Sequence, residues 1–254
     1  MFRILMVVSL SFLTFACAST GSETGVVNAK SKASVYRQTG NHAKLAELYK
    51  AQLAEQDSPS LREQLAETYL QLNDADNALF YIAPVIASDH PSCQAFYIQA
   101  QALVEQGELA KAQNSAQTAL NMCAGFAESE NLLGIIYATQ YDYPKARESF
   151  DAARRHFYAS DKVNNNLAVV DIAEGKYRSA IHRLLPLYTN NQADEQVIAN
   201  LVLSMAKEGQ YQFVYQVLEA NHTDGEIEQI YQVLRRYQPL SQPVPVQFKG
   251  AEHG

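Results

Sequence analysis

The 254-residue chain has no tryptophan, three cysteines, eight prolines and eleven glycines. Three cysteines are too few for a disulfide-built miniature domain or a four-thiolate zinc site. Three of the eight prolines (Pro239, Pro243, Pro245) fall in the last sixteen residues, which leaves the interior open to unbroken helices. No glycine-rich phosphate loop, no His-Glu-x-x-His and no Gly-x-Ser-x-Gly elbow occurs. The six histidines (His42, His90, His156, His182, His222, His253) are scattered. The expectation is therefore a non-enzyme with no cofactor and no small-molecule substrate. Basic residues form no run longer than Arg154-Arg155 or Arg235-Arg236, and the formal net charge is -7. A nucleic-acid partner is not expected, because such binding needs a basic face to displace phosphate counterions. No alternation of apolar and polar residues persists long enough to read as strands, while alanine, leucine, glutamine and glutamate favour helix.

Long apolar runs are also missing, with one exception. Ile4 to Phe15 is apolar for about a dozen residues, which is too short to span a bilayer. With Arg3 before it and Ala16-Cys17-Ala18-Ser19 after it, the stretch reads as a signal peptide, residues 1–16. Two processing outcomes are open. Leu13-Thr14-Phe15-Ala16-Cys17 resembles a bacterial lipobox, which makes Cys17 a lipidation site and residues 17–27 a flexible tether. Cleavage after Ala16-Cys17-Ala18, a small-x-small site, instead gives a soluble periplasmic product. Several acyl chains on one residue make a stable anchor where one is marginal. The lipoprotein resemblance, with Ala18 rather than Asp after the cysteine, implies the periplasmic face of the outer membrane. Loss of Arg3 takes the charge from -7 to -8.

The interior repeats itself every 34 residues. Gly134 steps to Ala168 and Val202, and back to Ala100 and Ala66. Ala146 steps to Ala180 and Val214, and back to Ala112 and Ala78. Phe150 steps to Leu184 and Leu218, and back to Ala116 and Ile82. Tyr141 steps to Gly175 and Gly209, and back to Gly107 and Asn73, a series rich in residues that tolerate a left-handed helix C-terminus. Small residues at fixed places on two helix faces let paired helices approach closely, and larger apolar residues fill the gaps. One such hairpin cannot bury its apolar side alone, so the units must stack.

This pattern resembles the tetratricopeptide repeat. It departs at the consensus tryptophan, where Arg62, Phe96, Glu130, Asn164 and Ile198 stand, and at the closing proline. The resemblance implies an all-α, right-handed superhelical solenoid of about six hairpins, residues 28–237. Repeats are expected near 28–58, 59–92, 93–126, 127–160, 161–194 and 195–228, with a first helix at about 28–38. A capping helix at 226–237 and an extended tail at 238–254 follow. In that frame Cys93 opens the first helix of a hairpin and Cys123 follows the second, so antiparallel packing brings them together. A disulfide closing about 31 residues is expected, worth roughly 3–4 kcal/mol. Two unpaired thiols, or a metal held by His90 and Cys93, are the alternatives.

In this repeat the first helices line the concave face. The resemblance implies that the positions facing it are Glu63, Glu67 and Leu70, then Tyr97, Gln101 and Val104, then Asn131 and Ile135. Lys162, Asn165, Asn166, Val169, Asn200 and Leu203 complete the groove. An amide donates and accepts together, so the recurrent asparagines either grip the backbone of an extended peptide or bridge neighbouring helices. Leu132-Leu133-Gly134-Ile135-Ile136-Tyr137, Asn164-Asn165-Asn166-Leu167-Ala168-Val169 and Ala199-Asn200-Leu201-Val202-Leu203 resemble the TadD-type lipoprotein of the tight-adherence (Flp pilus) apparatus. That implies an outer-membrane lipoprotein scaffold with a protein partner, a secretin or another secretion component, in secretin assembly or pilus biogenesis. A type IV pilus pilotin, or a general periplasmic scaffold, has the same outline.

Overall fold

The computed structural model describes residues 21–238. Residues 1–16, Cys17 and the tail from residue 239 lie outside the described residues. Thirteen helices and no strand occur among the described residues. They are α1 (Gly21–Gln38), α2 (His42–Glu55), α3 (Pro59–Leu70), α4 (Ala75–Ile86), α5 (Cys93–Glu105), α6 (Leu109–Met122) and α7 (Ala127–Thr139). The series continues with α8 (Tyr143–Arg155), α9 (Ser160–Ala173), α10 (Tyr177–Thr189), α11 (Glu195–Lys207), α12 (Tyr211–Leu218) and α13 (Asp224–Arg236). None is long and apolar enough to cross a membrane.

The 34-residue register is written in the turns. Asn73, Gly107, Tyr141, Gly175 and Gly209 all have positive φ, between 55° and 78°. At each, the following N–H reaches back to the carbonyl five residues earlier. Examples are Asp74 to Tyr69 at 3.0 Å, Asp142 to Tyr137 at 2.9 Å and Lys176 to Asp171 at 2.7 Å. This closure satisfies carbonyls that the helix end leaves open and reverses the chain into the second helix. Tyr141 holds the left-handed conformation without being glycine, an energetic cost that the surrounding repeat absorbs. Asp74 and Asp142 then cap α4 and α8 through their side chains, while Ser58, Ser92 and Asp194 cap the first helices α3, α5 and α11.

Small residues sit where helices cross. Ala66, Ala78, Ala100, Ala112, Ala146, Ala168 and Ala180 are fully buried, and Leu65, Ile82, Leu167, Leu184 and Leu201 fill the spaces beside them. Gly134 is the tightest crossing: a Cβ there would fall 2.5 Å from two ring carbons of Phe150. Every helix touches only the next helix or the one after it, so the described chain is a stacked array. Thr223 and Glu226 form a capping box that starts α13, which lays Ile227 and Tyr231 against α11 and α12.

One feature departs from the sequence reading. Helix α1 already runs at Gly21, the first described residue, inside the stretch 17–27 expected to be a tether and ahead of the expected start near 28. No proline interrupts residues 21–38. Helix α12 has only eight residues, shorter than the other second helices, because the chain turns into the cap at Glu219.

Candidate protein-binding groove

The first helices α3, α5, α7, α9 and α11 touch one another in succession and form one continuous face. Two clefts open on it. The first, about 440 Å³, is lined by the expected residues Glu67, Leu70, Tyr97 and Gln101, joined by Arg37 and Tyr49. The second, about 240 Å³, takes the expected Asn131, Ile135, Lys162, Asn165 and Asn166, joined by Asp161 and Asp194 from the starts of the next first helices. Tyr158, from the loop between α8 and α9, closes one side.

The remaining expected positions lie outside both clefts. Glu63 is half-buried and accepts a hydrogen bond from the Ser92 hydroxyl. Val104, Asn200 and Leu203 are half-buried, and Val169 is exposed. Glu67 accepts from the Gln94 amide at 2.5 Å. Burial raises the Glu67 carboxyl above the usual carboxylate range, against the Gln94 bond, and the nearby Glu63 charge adds to the rise. Tyr97 packs edge-on to Phe126 with centroids 5.3 Å apart, and burial pushes its phenol well above the ordinary value.

The asparagines bridge. Asn166 Nδ2 donates to Asn131 Oδ1 at 2.9 Å, and Asn200 Nδ2 donates to Asn165 Oδ1 at 3.0 Å. Asn131 and Asn165 are 6% and 7% exposed, so they serve mainly to tie α7 to α9 and α9 to α11. Of the two roles open from sequence, bridging is the one the coordinates display. Asp161, Lys162 and Val169 are exposed to a guest in this half, and Ile135 is half-buried at the cleft.

Sequence reasoning missed the charged cluster behind this face. Asp171 on α9 is buried and is gripped by Arg147 of α8 at 2.7 Å and by Arg183 of α10 at 2.8 Å. Arg147 also pairs with Glu174. An Asp at the thirty-fourth-residue register of a tyrosine (Tyr137) was the available signal, since its neighbours in the frame carry no charge. Cys93 and Cys123 are joined by a disulfide, with Cα atoms 6.0 Å apart, clipping the open end of the α5–α6 hairpin. No group of three metal-ligating side chains occurs among the described residues.

No family model matches the chain, and no curated protein matches it in sequence. Solved structures do match. A TPR protein of Thermus thermophilus superposes with a TM-score of 0.57 at 16% identity, over 82% of this chain and 97% of that one. The chain has the tetratricopeptide-repeat fold. The Cut9–Hcn1 hetero-tetramer of the APC/C gives 0.64 at 19% identity, over 80% of this chain but only 41% of that one. PilW, described as a widely conserved type IV pilus biogenesis factor, gives 0.59 at 16% identity, over 71% of this chain and 84% of that one. At these identities the likeness is one of fold. Within the tetratricopeptide frame, the two clefts fall on the first-helix face and the Asp171 cluster lies between the helix layers.

Proposed function

We propose that the chain is a non-enzymatic scaffold that holds an extended polypeptide segment on its first-helix face. The observation that carries this reading is the second cleft: Ile135, Asp161, Lys162 and Asn166 converge on open space between three successive first helices. Apolar contact from Ile135 combines there with charged and amide groups, the mixture that fixes a peptide's side chains and backbone together. The asparagine bonds hold the floor rigid, which lowers the entropy lost on binding.

The setting is the outer membrane, with Cys17 lipidated and the array facing the periplasm. The guest is a secretin or another component of the tight-adherence (Flp) pilus apparatus, as the Leu-Leu-Gly-Ile-Ile-Tyr and Asn-Asn-Asn-Leu-Ala segments imply. The fold likeness to PilW, which extends over most of both chains, favours a second setting, pilotin-like delivery of a type IV secretin.

The test is affinity capture from solubilised outer membranes with wild type and an Ile135→Glu/Lys162→Glu variant. Secretin and pilus proteins should be retained by wild type and lost by the variant, with equal thermal melting of both. Equal retention overturns the groove. Absence of pilus proteins from the wild-type eluate overturns the pilus setting. Fractionation of Cys17→Ser away from the outer membrane checks the anchor.

A further inference from the structure

The groove is graded along its length. One column of positions, spaced by 34 residues, reads Glu67, Gln101, Ile135, Val169, Leu203 from α3 to α11. Ile135, Val169 and Leu203 each lie one helical turn beyond a bridging asparagine (Asn131, Asn165, Asn200), so they share the face on which those bonds are made. That half of the column is aliphatic, and Val169 is 39% exposed. The other half ends on Glu67, one turn from Glu63. Arg37, the cation in the first cleft, is turned to the Tyr49 hydroxyl and to Gln64. In the second cleft Asp161 and Asp194 face the single cation Lys162. The second cleft therefore holds two carboxylates to one cation, and the first reaches the same ratio only when Glu63, just outside it, is counted with Glu67 against Arg37.

The spacing of the column selects a backbone. Helices in direct contact have axes about 8–10 Å apart. A β-strand returns a side chain to the same side every second residue, about 6.6 Å along. A polyproline-II segment does so every third residue, about 9.3 Å along, which matches one step of the column. From Ile135 to Glu67 is two steps, hence about six residues.

Resting on the groove reading above, we propose that the face selects a polyproline-II-like segment with an aliphatic side chain at every third residue, seated on Ile135, Val169 and Leu203, and a lysine or arginine about six residues beyond, seated against Glu67 and Glu63. The aliphatic side chains bury apolar surface against the column. The cation relieves the repulsion between two carboxylates one turn apart, which Arg37 offsets only in part.

Dye-labelled synthetic peptides on the full-length chain, read by fluorescence anisotropy, test this. The probe is a sixteen-residue Pro/Ser/Gln peptide with Val at positions 1, 4 and 7 and Arg at 13, made in both chain directions. Its controls carry the same residues with Val at 1, 3 and 5, or Glu at 13. In one direction the period-three peptide should bind at least about ten-fold more tightly than either control. Val169→Asn, at an exposed position, should abolish the preference for period three. Glu67→Gln should abolish only the preference for Arg over Glu. Equal binding of the two valine spacings, or no binding of the period-three probe in either direction, overturns the inference. If that happens while membrane capture is still seen with wild type and lost with Ile135→Glu/Lys162→Glu, the groove itself stands and only its proposed selectivity falls.

Discussion

The third hairpin, α5–α6, and the fourth, α7–α8, occupy equivalent places in the repeat and are held shut by different means. In the fourth, Gly134 removes a side chain from the first helix so that Phe150 from the second can lie against its backbone. In the third, the same two positions are Ala100 and Ala116, both fully buried. Ala112, Ser115 and Ala119 continue the small-residue lining of α6. At that position the third hairpin has no aromatic knob, and its second helix packs Leu109 and Leu120 only partly buried. It is also the hairpin whose open end carries the Cys93–Cys123 bond. One unit is closed from within by an aromatic ring, the other from its end by a covalent clip. The tetratricopeptide frame fixes where helices cross but leaves the means of holding them open.

The sharpest way to break the fourth hairpin is Phe150→Ala. Emptying a ring site that is 1% exposed should cost about 3–5 kcal/mol, because the backbone at Gly134 cannot collapse into the space. Chemical denaturation with a single probe checks this. The corresponding blow to the third hairpin is Cys93→Ser/Cys123→Ser, or reduction of wild type. Loop-closure entropy over about 31 residues predicts a loss of roughly 3–4 kcal/mol. Hydrogen exchange should show it first in α5 and α6. A loss below about 1 kcal/mol would mean that small-residue packing alone closes this hairpin.

A third change probes the link between the fourth and fifth hairpins. Asp171→Asn leaves Arg147 and Arg183 without the carboxylate that holds both. Removing one partner of a fully buried ion pair costs about 3–5 kcal/mol, but the arginine side chains are 25% and 29% exposed, so water takes up part of the charge. The expected loss is about 1–3 kcal/mol. Asp171→Ala should be no milder, and a high-salt melt should narrow the gap only slightly, since Asp171 itself is 3% exposed.

The parts of this comparison differ in how far they could be read from residue order. The helix crossings were legible because the small residues recur at 34, and the turns because Asn73, Gly107, Gly175 and Gly209 accept positive φ. Even Tyr141, a poor candidate by type, follows its register. The Asp171 cluster was not legible. Its arginines stand 24 residues before and 12 residues after it, off the repeat period, and only the stacking of three helices brings them together. That α1 already runs at Gly21 was hidden by a Ser/Gly composition that also suits a tether. The groove was half legible: the frame names the positions, but it says nothing of which amides turn toward each other.

That last point carries the smallest of the expected effects. Asn166→Ala removes one donor from Asn131, a residue that is 6% exposed and whose amide has no other side-chain partner among the described residues. The loss should be about 1 kcal/mol, the usual worth of a neutral hydrogen bond whose partner stays behind. The equivalent change on the next step, Asn200→Ala, should match it, because Asn165 is buried to the same degree. A double-mutant cycle between Asn131 and Asn166 should return a coupling of about 0.5–1.5 kcal/mol, while Asn131 with Asn200, which share no bond, should be additive within about 0.5 kcal/mol. Such a pattern assigns the asparagines to the floor of the groove and leaves recognition to Ile135, Lys162 and Val169. Additivity in both cycles, together with loss of peptide binding in Asn166→Ala, would move the amides from the floor to the guest.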